Sequence, residues 1–239
     1  MGTELQIETT GAATTLTLNR PDKANALNAE LVAALSAAVE AAHRDGTRLL
    51  VLKGNGRNFC AGFDFSDFEA ASEGDLLLRF VRIEILLQSL YHAPFATLAL
   101  AHGRNFGAGV DLILSCANRI AAADASFRMP GLKFGLQLGT RRLAARIGGD
   151  TARALLRASK TFGAEEALNI GFLQQIAPPE AWPELVRGAA DDAQQLTAAA
   201  AARLHAATVT DSRAADLADL VRSAADPGLK ERIREYRQS

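Results

Sequence analysis

The chain has 239 residues, 49% of them hydrophobic and 22% charged, which suits one large folded unit or a core with a small appendage and excludes a disordered chain. A formal net charge of -1 and a pI near 6.4 exclude general attraction to nucleic acid or anionic membrane, and no apolar run approaches membrane-spanning length. Two cysteines, Cys60 and Cys116, are too few for a disulfide framework or a zinc site and read as small apolar packing residues. With early Glu4 and no apolar leader segment, a soluble cytoplasmic protein without a metal is expected.

Taken in order, Thr14 to Leu18 alternates threonine and leucine as a half-buried strand does, and Arg20-Pro21 ends it. A helix is predicted over 28–43, with Asn28 as N-cap, Leu31, Leu35, Val39 and Ala42 on one face, and Asp45-Gly46 as the stop. Leu49 to Leu52 reads as a buried strand, followed by the loop GNGRNFCAGFDF over 54–65. A long amphipathic helix is expected over 75–91, its arginines on a solvated face. Then come a strand over 95–101, a turn and helix over 102–117, and short strands at 119–122 and 126–128. Helix is predicted over 140–159 with a break at Gly148-Gly149, then over 163–170, before a strand at 172–176. Pro178-Pro179 is the clearest punctuation, and everything beyond it reads as helix.

Chemistry concentrates at His102 to Ala117, HGRNFGAGVDLILSCA. Gly107, Ala108 and Gly109 stand where a strand-to-helix turn delivers unpaired helix amides, which favour a negatively charged oxygen, and small residues let a ligand approach the backbone. Asp111 lies on the same helix face one turn on, an acid beside an anion hole. Its two readings are a functional acid with a raised pKa and a structural partner of an arginine such as Arg119. A dinucleotide fingerprint fails at Leu112, and Walker A, G-x-S-x-G and H-E-x-x-H patterns are absent. The second small-residue loop, Cys60-Ala61-Gly62-Phe63, offers another backbone donor. Two donors converging on one oxygen would stabilise a thioester carbonyl as it becomes an enolate or a tetrahedral adduct.

The stretches LNRPDKANALN (18–28), FCAGFDF (59–65) and HGRNFGAGVDLILSCANRIAAADASFRMP (102–130), with GTRRLAARIGG and GAEEALNIGFLQQI further on, resemble the crotonase, or enoyl-CoA hydratase/isomerase, superfamily. The resemblance implies an α/β fold in which repeated strand-strand-helix units form a spiral. It also implies a division into a core over 1–195 and a C-terminal helical trimerisation region over 196–239. The expected partner is an acyl-CoA substrate, with coenzyme A part of the substrate and no separate cofactor, and the expected assembly a homotrimer or dimer of trimers. Carried over by position, the oxyanion-hole amides fall on Phe63 and Ala108 and the first catalytic carboxylate on Asp111. Substrate binding falls on Lys23, Ala24, Ala26, Ala61, Gly62, Gly107 and Gly109.

Two positions depart from the family pattern. The second catalytic glutamate falls on Gly131, which puts two-carboxylate hydration in question, since water activation and proton donation each need a group. Phe63 stands where the family has alanine, a ring that either reshapes the acyl pocket or plugs apolar space. Asp64 or Asp67 is a candidate substitute acid, and otherwise both cap the first loop; His102 is expected to be a hydrogen-bonded core histidine. His92 is a further polar candidate near the loops. Arg141, Arg142, Arg146, Arg153 and Arg157 read as a solvated basic face, while Lys230, Arg232 and Arg234 are candidates for a neighbouring subunit's nucleotide phosphate. The expected function is therefore a crotonase-family enzyme, nominally enoyl-CoA hydratase/isomerase. The alternatives are an acyl-CoA hydrolase or decarboxylase of the same fold, and a non-catalytic acyl-CoA-binding subunit.

Overall fold

The computed structural model describes residues 3–238. A six-stranded sheet is built from β1 (Leu5–Thr10), β2 (Ala13–Leu18), β3 (Leu49–Gly54), β4 (Ala96–Ala101), β6 (Asn118–Ala121) and β9 (Gln175–Ile176), side by side in that order. Only β1 and β2 are antiparallel neighbours; the other pairings are parallel. A second sheet orders β5 (Arg104–Phe106), β7 (Ser126–Arg128) and β8 (Phe162–Gly163). Thus β4 and β6 add neighbouring strands to the large sheet while β5 and β7, which follow them in the chain, pair in the small one. The helix α3 (Ala108–Ser115) returns the chain between the two turns, giving the expected strand-strand-helix spiral.

The apolar runs follow from burial on both faces. Along β3, Leu50 and Leu52 enter the main core, whereas Leu49 and Val51 face a smaller cluster covered by Trp182, Leu185 and Val186 of α7 (Trp182–Gln194). Along β4, Ala99 and Ala101 take the first side and Leu98 and Leu100 the second. The main core is filled by α1 (Ala29–Ala42), α2 (Glu73–Tyr91) and α3. Asn28 caps α1 by accepting the Leu31 N–H at 2.8 Å, as the sequence predicts. A reciprocal Ser72–Asp75 capping box starts α2 two residues before the predicted position.

One strand goes unmarked in the sequence reading, and two expectations need correction here. β1 alternates apolar and polar residues over Leu5-Gln6-Ile7-Glu8, a signal the sequence reading passes over, and as an edge strand it buries Leu5 alone. The strand expected over 172–176 shrinks to β9, because Phe172 and Leu173 serve the core as irregular chain and only Gln175 and Ile176 pair with β6. Arg142, expected on a solvated face, is 1% exposed and locked to Glu84, as described below.

The helical stretch over 140–159 divides as predicted at Gly148 into α4 (Thr140–Ile147) and α5 (Gly149–Ala158), and α6 spans Ala164–Asn169. Three more helices complete the tail, α8 (Ala198–Thr208), α9 (Arg213–Ala225) and α10 (Leu229–Gln238). Leu220, Leu229 and Ile233 of the last two helices are fully buried in the main core. Lys230 and Arg234 bond to Ala71 and Glu69 of the same chain, and Arg232 donates to the Phe134 carbonyl. Among the described residues, no helix is long and apolar enough to cross a membrane.

Candidate active site

The two small-residue loops meet. Phe106 N–H donates to the Cys60 carbonyl, and a Cβ on Gly109 would lie 2.2 Å from that same carbonyl oxygen. A Cβ on Gly62 would lie 2.3 Å from the Phe106 carbonyl oxygen and 3.3 Å from the Ala108 nitrogen. Gly62 and Gly109 are therefore small because the loops press on each other, not because a ligand passes over them. Gly107 is different: its Cβ position meets only the Pro130 ring, at 4.0 Å, and it opens onto a cavity. Its φ of 48° is also one that only glycine adopts without strain.

Backbone geometry points one amide from each loop away from its neighbours. Leu27 N–H donates to the Gly62 carbonyl at 2.7 Å and Asp64 N–H donates to Leu27 at 3.2 Å, forming a parallel bridge opposite Phe63. In such a bridge the central residue's own N–H faces the other side. Ala108 opens α3, so its N–H has no acceptor within the helix. Both residues line a cavity of about 320 Å³ together with Ala61, Gly107, Asp111 and Gly131.

Asp111 is 2% exposed and is the single carboxylate among the described residues lining this cavity. Its Oδ1 is buried without a hydrogen-bond partner. Burial pushes the carboxyl up to about 8; Arg142 opposes the rise and Glu84 adds to it. Arg119 is not its partner, because that guanidinium donates to the carbonyls of Phe172, Cys116 and Ala117. A Cβ on Gly139, the residue that precedes α4, would sit 1.7 Å from Asp111 Oδ1, so the carboxyl rests directly against that glycine.

Behind Asp111 lies an ion-pair network. Arg142 of α4 grips Glu84 of α2 with two bonds of 2.8 and 2.6 Å, and both side chains are 1% exposed. Gln88 donates to Glu84 Oε1, and Asp216 of α9 stands 3.4 Å from Arg142 while also taking Ser212 and Arg141. The sequence missed this group, since a lone glutamate on an apolar helix face, between Ile83 and Leu87, was the available signal. Arg79 likewise leaves its expected solvated face: it bonds Asp67 at 2.6 Å and the Asp64 carbonyl at 2.7 Å, and lies 4.3 Å over the Phe63 ring.

The other sequence candidates divide. Asp64 is held by Arg20 at 2.9 Å and by the Ser66 N–H, and these keep its carboxyl below the usual range although desolvation pushes the other way. Asp67 is tied to Arg79, and neither acid reaches the cavity to replace a second glutamate. Gly131 does line it, but a Cβ there would lie 2.9 Å from the Leu136 carbonyl oxygen. Lys23 is exposed beside the cavity-forming loop rather than in it, and the Ala24 carbonyl accepts the Ala61 N–H at 2.9 Å. Ala26 is buried and its carbonyl accepts from Arg20. Asn25, fully buried at φ 55°, is held there by side-chain bonds to Arg20, Asn55 and Asn58, an anchor the sequence did not mark. His102 bonds the Gly56 carbonyl at 3.0 Å as expected, but it is half-buried rather than in the core. His92 packs 4.0 Å from Asp211, outside the cavity lining. Cys60 and Cys116 are both free and buried, and burial raises both thiols to about 12.

Comparison with known proteins agrees with this architecture. The family model for enoyl-CoA hydratase/isomerase matches residues 8–231. A Mycobacterium bovis protein named a probable enoyl-CoA hydratase is 36% identical over 178 residues, covering 72% of this chain and 71% of its own length. A Rhodobacter capsulatus protein of the same name is 38% identical over 168 residues, covering 68% of this chain and 64% of its own length. A Bordetella parapertussis protein, whose crystal structure is named as a candidate enoyl-CoA hydratase/isomerase, is 55% identical with a TM-score of 0.99, and the two cover 100% of each other. An enoyl-CoA hydratase structure from Bacillus halodurans is 24% identical with a TM-score of 0.86 over 97% of this chain and 99% of its own, a likeness of fold alone. With a spiral of strand-strand-helix units, two interlocked loops and a family match running almost end to end, this chain belongs to the enoyl-CoA hydratase/isomerase family, a family of lyases and isomerases.

Proposed function

We propose that the protein moves a proton on an acyl-CoA thioester, with the Phe63 and Ala108 amides receiving the carbonyl oxygen and Asp111 exchanging the proton. The observation that carries this reading is Asp111 itself, the one carboxylate among the described residues lining an apolar cavity, displaced to about 8 and sharing that cavity with the two loop residues whose amides point away from their neighbours. Charge that develops on the thioester oxygen is stabilised best by fixed donors in a water-poor site. Removing the α-proton makes an enolate, which those amides hold while the acid formed on Asp111 returns the proton elsewhere on the acyl group. Such one-acid chemistry is isomerase-like; two-carboxylate hydration is disfavoured because Gly131 has no side chain and Leu136 closes the space for one.

Coenzyme A would enter over the loop formed by Ala61 and the turn at Lys23–Ala26, with Lys23 as a point charge for phosphate. Exposed Leu196 and Leu204 on the tail support the homotrimer or dimer of trimers that the family implies.

The test is mass spectrometry of butyryl-CoA and crotonyl-CoA after incubation in heavy water. Deuterium uptake at carbon without water addition is expected. Exchange needs the carboxylate, and the pKa is raised, so the rate should climb with pH and level off above about 8. Asp111→Asn should lower it by roughly 10² or more while leaving acyl-CoA affinity within a few fold. Binding without exchange at any pH would favour a non-catalytic acyl-CoA-binding subunit, and release of free coenzyme A would favour a hydrolase.

A further inference from the structure

The first turn of α4 gathers buried polar atoms that bond to nothing among the described residues. Asp111 Oδ1 rests against Gly139, the residue before the helix, and has no hydrogen-bond partner. Thr140, the next residue and the first of α4, also buries its Oγ1 without a partner, and Arg142 does the same with its Nε. Buried side-chain polar atoms are nearly always bonded, so exceptions that cluster around one helix start call for a cause.

α4 offers donors that have nothing to donate to. The first amides of a helix have no acceptor inside it, and no side chain caps this one, because Gly139 stands at the N-cap with a φ of 66° and has none to offer. An anion placed at such an end is stabilised by the helix dipole as well. A threonine inside a helix can turn its hydroxyl onto the carbonyl three or four residues back; Thr140 opens the helix, so no such helical carbonyl exists for it. Asp111 Oδ1 is the converse, an acceptor without a donor, and it touches the residue beside these groups.

The charged groups around Asp111 do not fill this role. Among the described residues, α3 and β4 bring no second charge, and Arg104 of β5 is exposed. Glu84 of α2 is a like charge; Arg142 turns its terminal nitrogens to Glu84 and to Asp216 of α9, and Arg141 turns to Asp216 and Asp219. Arg128 and Arg237 line the cavity, but Arg128 Nε is used on the Ser159 carbonyl and the Arg237 guanidinium lies over Phe65 and Phe68. A base must carry charge, and a buried carboxylate without donors is strongly disfavoured.

Resting on the role proposed above for Asp111, we infer that Thr140 is the positioning residue of that base: its hydroxyl, with the free amides of α4, takes the Asp111 carboxylate when it ionises and holds it at the cavity.

The test is a carbon NMR titration of the intact protein labelled at the aspartate carboxyl carbons, the Asp111 signal being identified by its loss in Asp111→Asn. Heavy-water exchange into butyryl-CoA is followed over the same pH range. A donor to the charged form favours that form, so removing it must raise the midpoint. Thr140→Val, which keeps the shape and lacks the hydroxyl, should raise the Asp111 midpoint by about one pH unit, a roughly tenfold loss of ionised base at neutral pH, and the exchange profile should move with it. Thr140→Ser should restore both. If the valine variant does not fold, Thr140→Ala removes the same hydroxyl and should give the same shift. A midpoint unchanged without the hydroxyl overturns the inference, as does a serine variant shifted as far as the valine one, since packing of the methyl group would then be the cause. If the Asp111 signal shifts as expected but no acyl-CoA exchanges deuterium in the unaltered protein, the proton-transfer reading falls while the hold of Thr140 on the carboxylate is supported.

Discussion

At the scale of single residues, Asp111 depends on what its neighbours lack. Its Oδ1 occupies the space a side chain on Gly139 would need, and Gly139 also has a φ of 66°. Gly139→Ala must therefore push the carboxyl out of place and strain the turn before α4 at once. The expected outcome is a loss in kcat of roughly 10² with KM for an active acyl-CoA changed by a few fold only, because Gly139 touches the carboxyl and belongs to neither of the two loops proposed to hold the thioester. Steady-state kinetics on the variant checks this, and a change confined to KM would show that the carboxyl tolerates displacement. Gly131 is the opposite case, a cavity position with no room for a side chain, since a Cβ there would lie 2.9 Å from the Leu136 carbonyl oxygen.

At the scale of elements, α2, α4 and α9 are joined behind the site by Glu84, Arg142 and Asp216. Breaking a buried ion pair by removing one partner leaves an unpaired buried charge and costs about 3–5 kcal/mol. Glu84→Gln should lower stability on that order in urea unfolding, and Glu84→Leu combined with Arg142→Met should recover much of it. The same pair sets part of Asp111's titration, since Glu84 raises it and Arg142 lowers it. Glu84→Gln is therefore expected to shift the deuterium-exchange profile toward lower pH, a readout that loss of stability alone would not move. A profile still centred near 8 would show that burial alone sets it.

At the scale of the whole molecule, the tail is part of the core. Leu229 and Ile233 are fully buried, and the next turn of α10 brings Tyr236 and Arg237 to the cavity wall. Removing residues 229–239 should thus do two things together: cost several kcal/mol from the lost burial, and expose the Phe134 side of the cavity. Thermal melting and binding of a hydrophobic dye measure both. A truncated protein with unchanged melting temperature and affinity for an active acyl-CoA would show that α10 is dispensable to the site.

The sequence by itself determined the elements whose signals are local: the Asn28 cap, the two-sided apolar runs of β3 and β4, the break at Gly148, and the strand-turn-helix that presents Ala108 and Asp111. Its motifs in order also identified the family. Tertiary structure alone decided which residues meet. Convergence of two loops more than forty positions apart, the burial of Arg142 against Glu84, and the withdrawal of Asp64 to Arg20 all depend on long-range packing, for which spacing along a chain carries no signal. Even the glycines changed meaning: Gly62 and Gly109 are small for the loops' own contact, whereas Gly107 is small beside open space, a difference that exists only once the chain has folded.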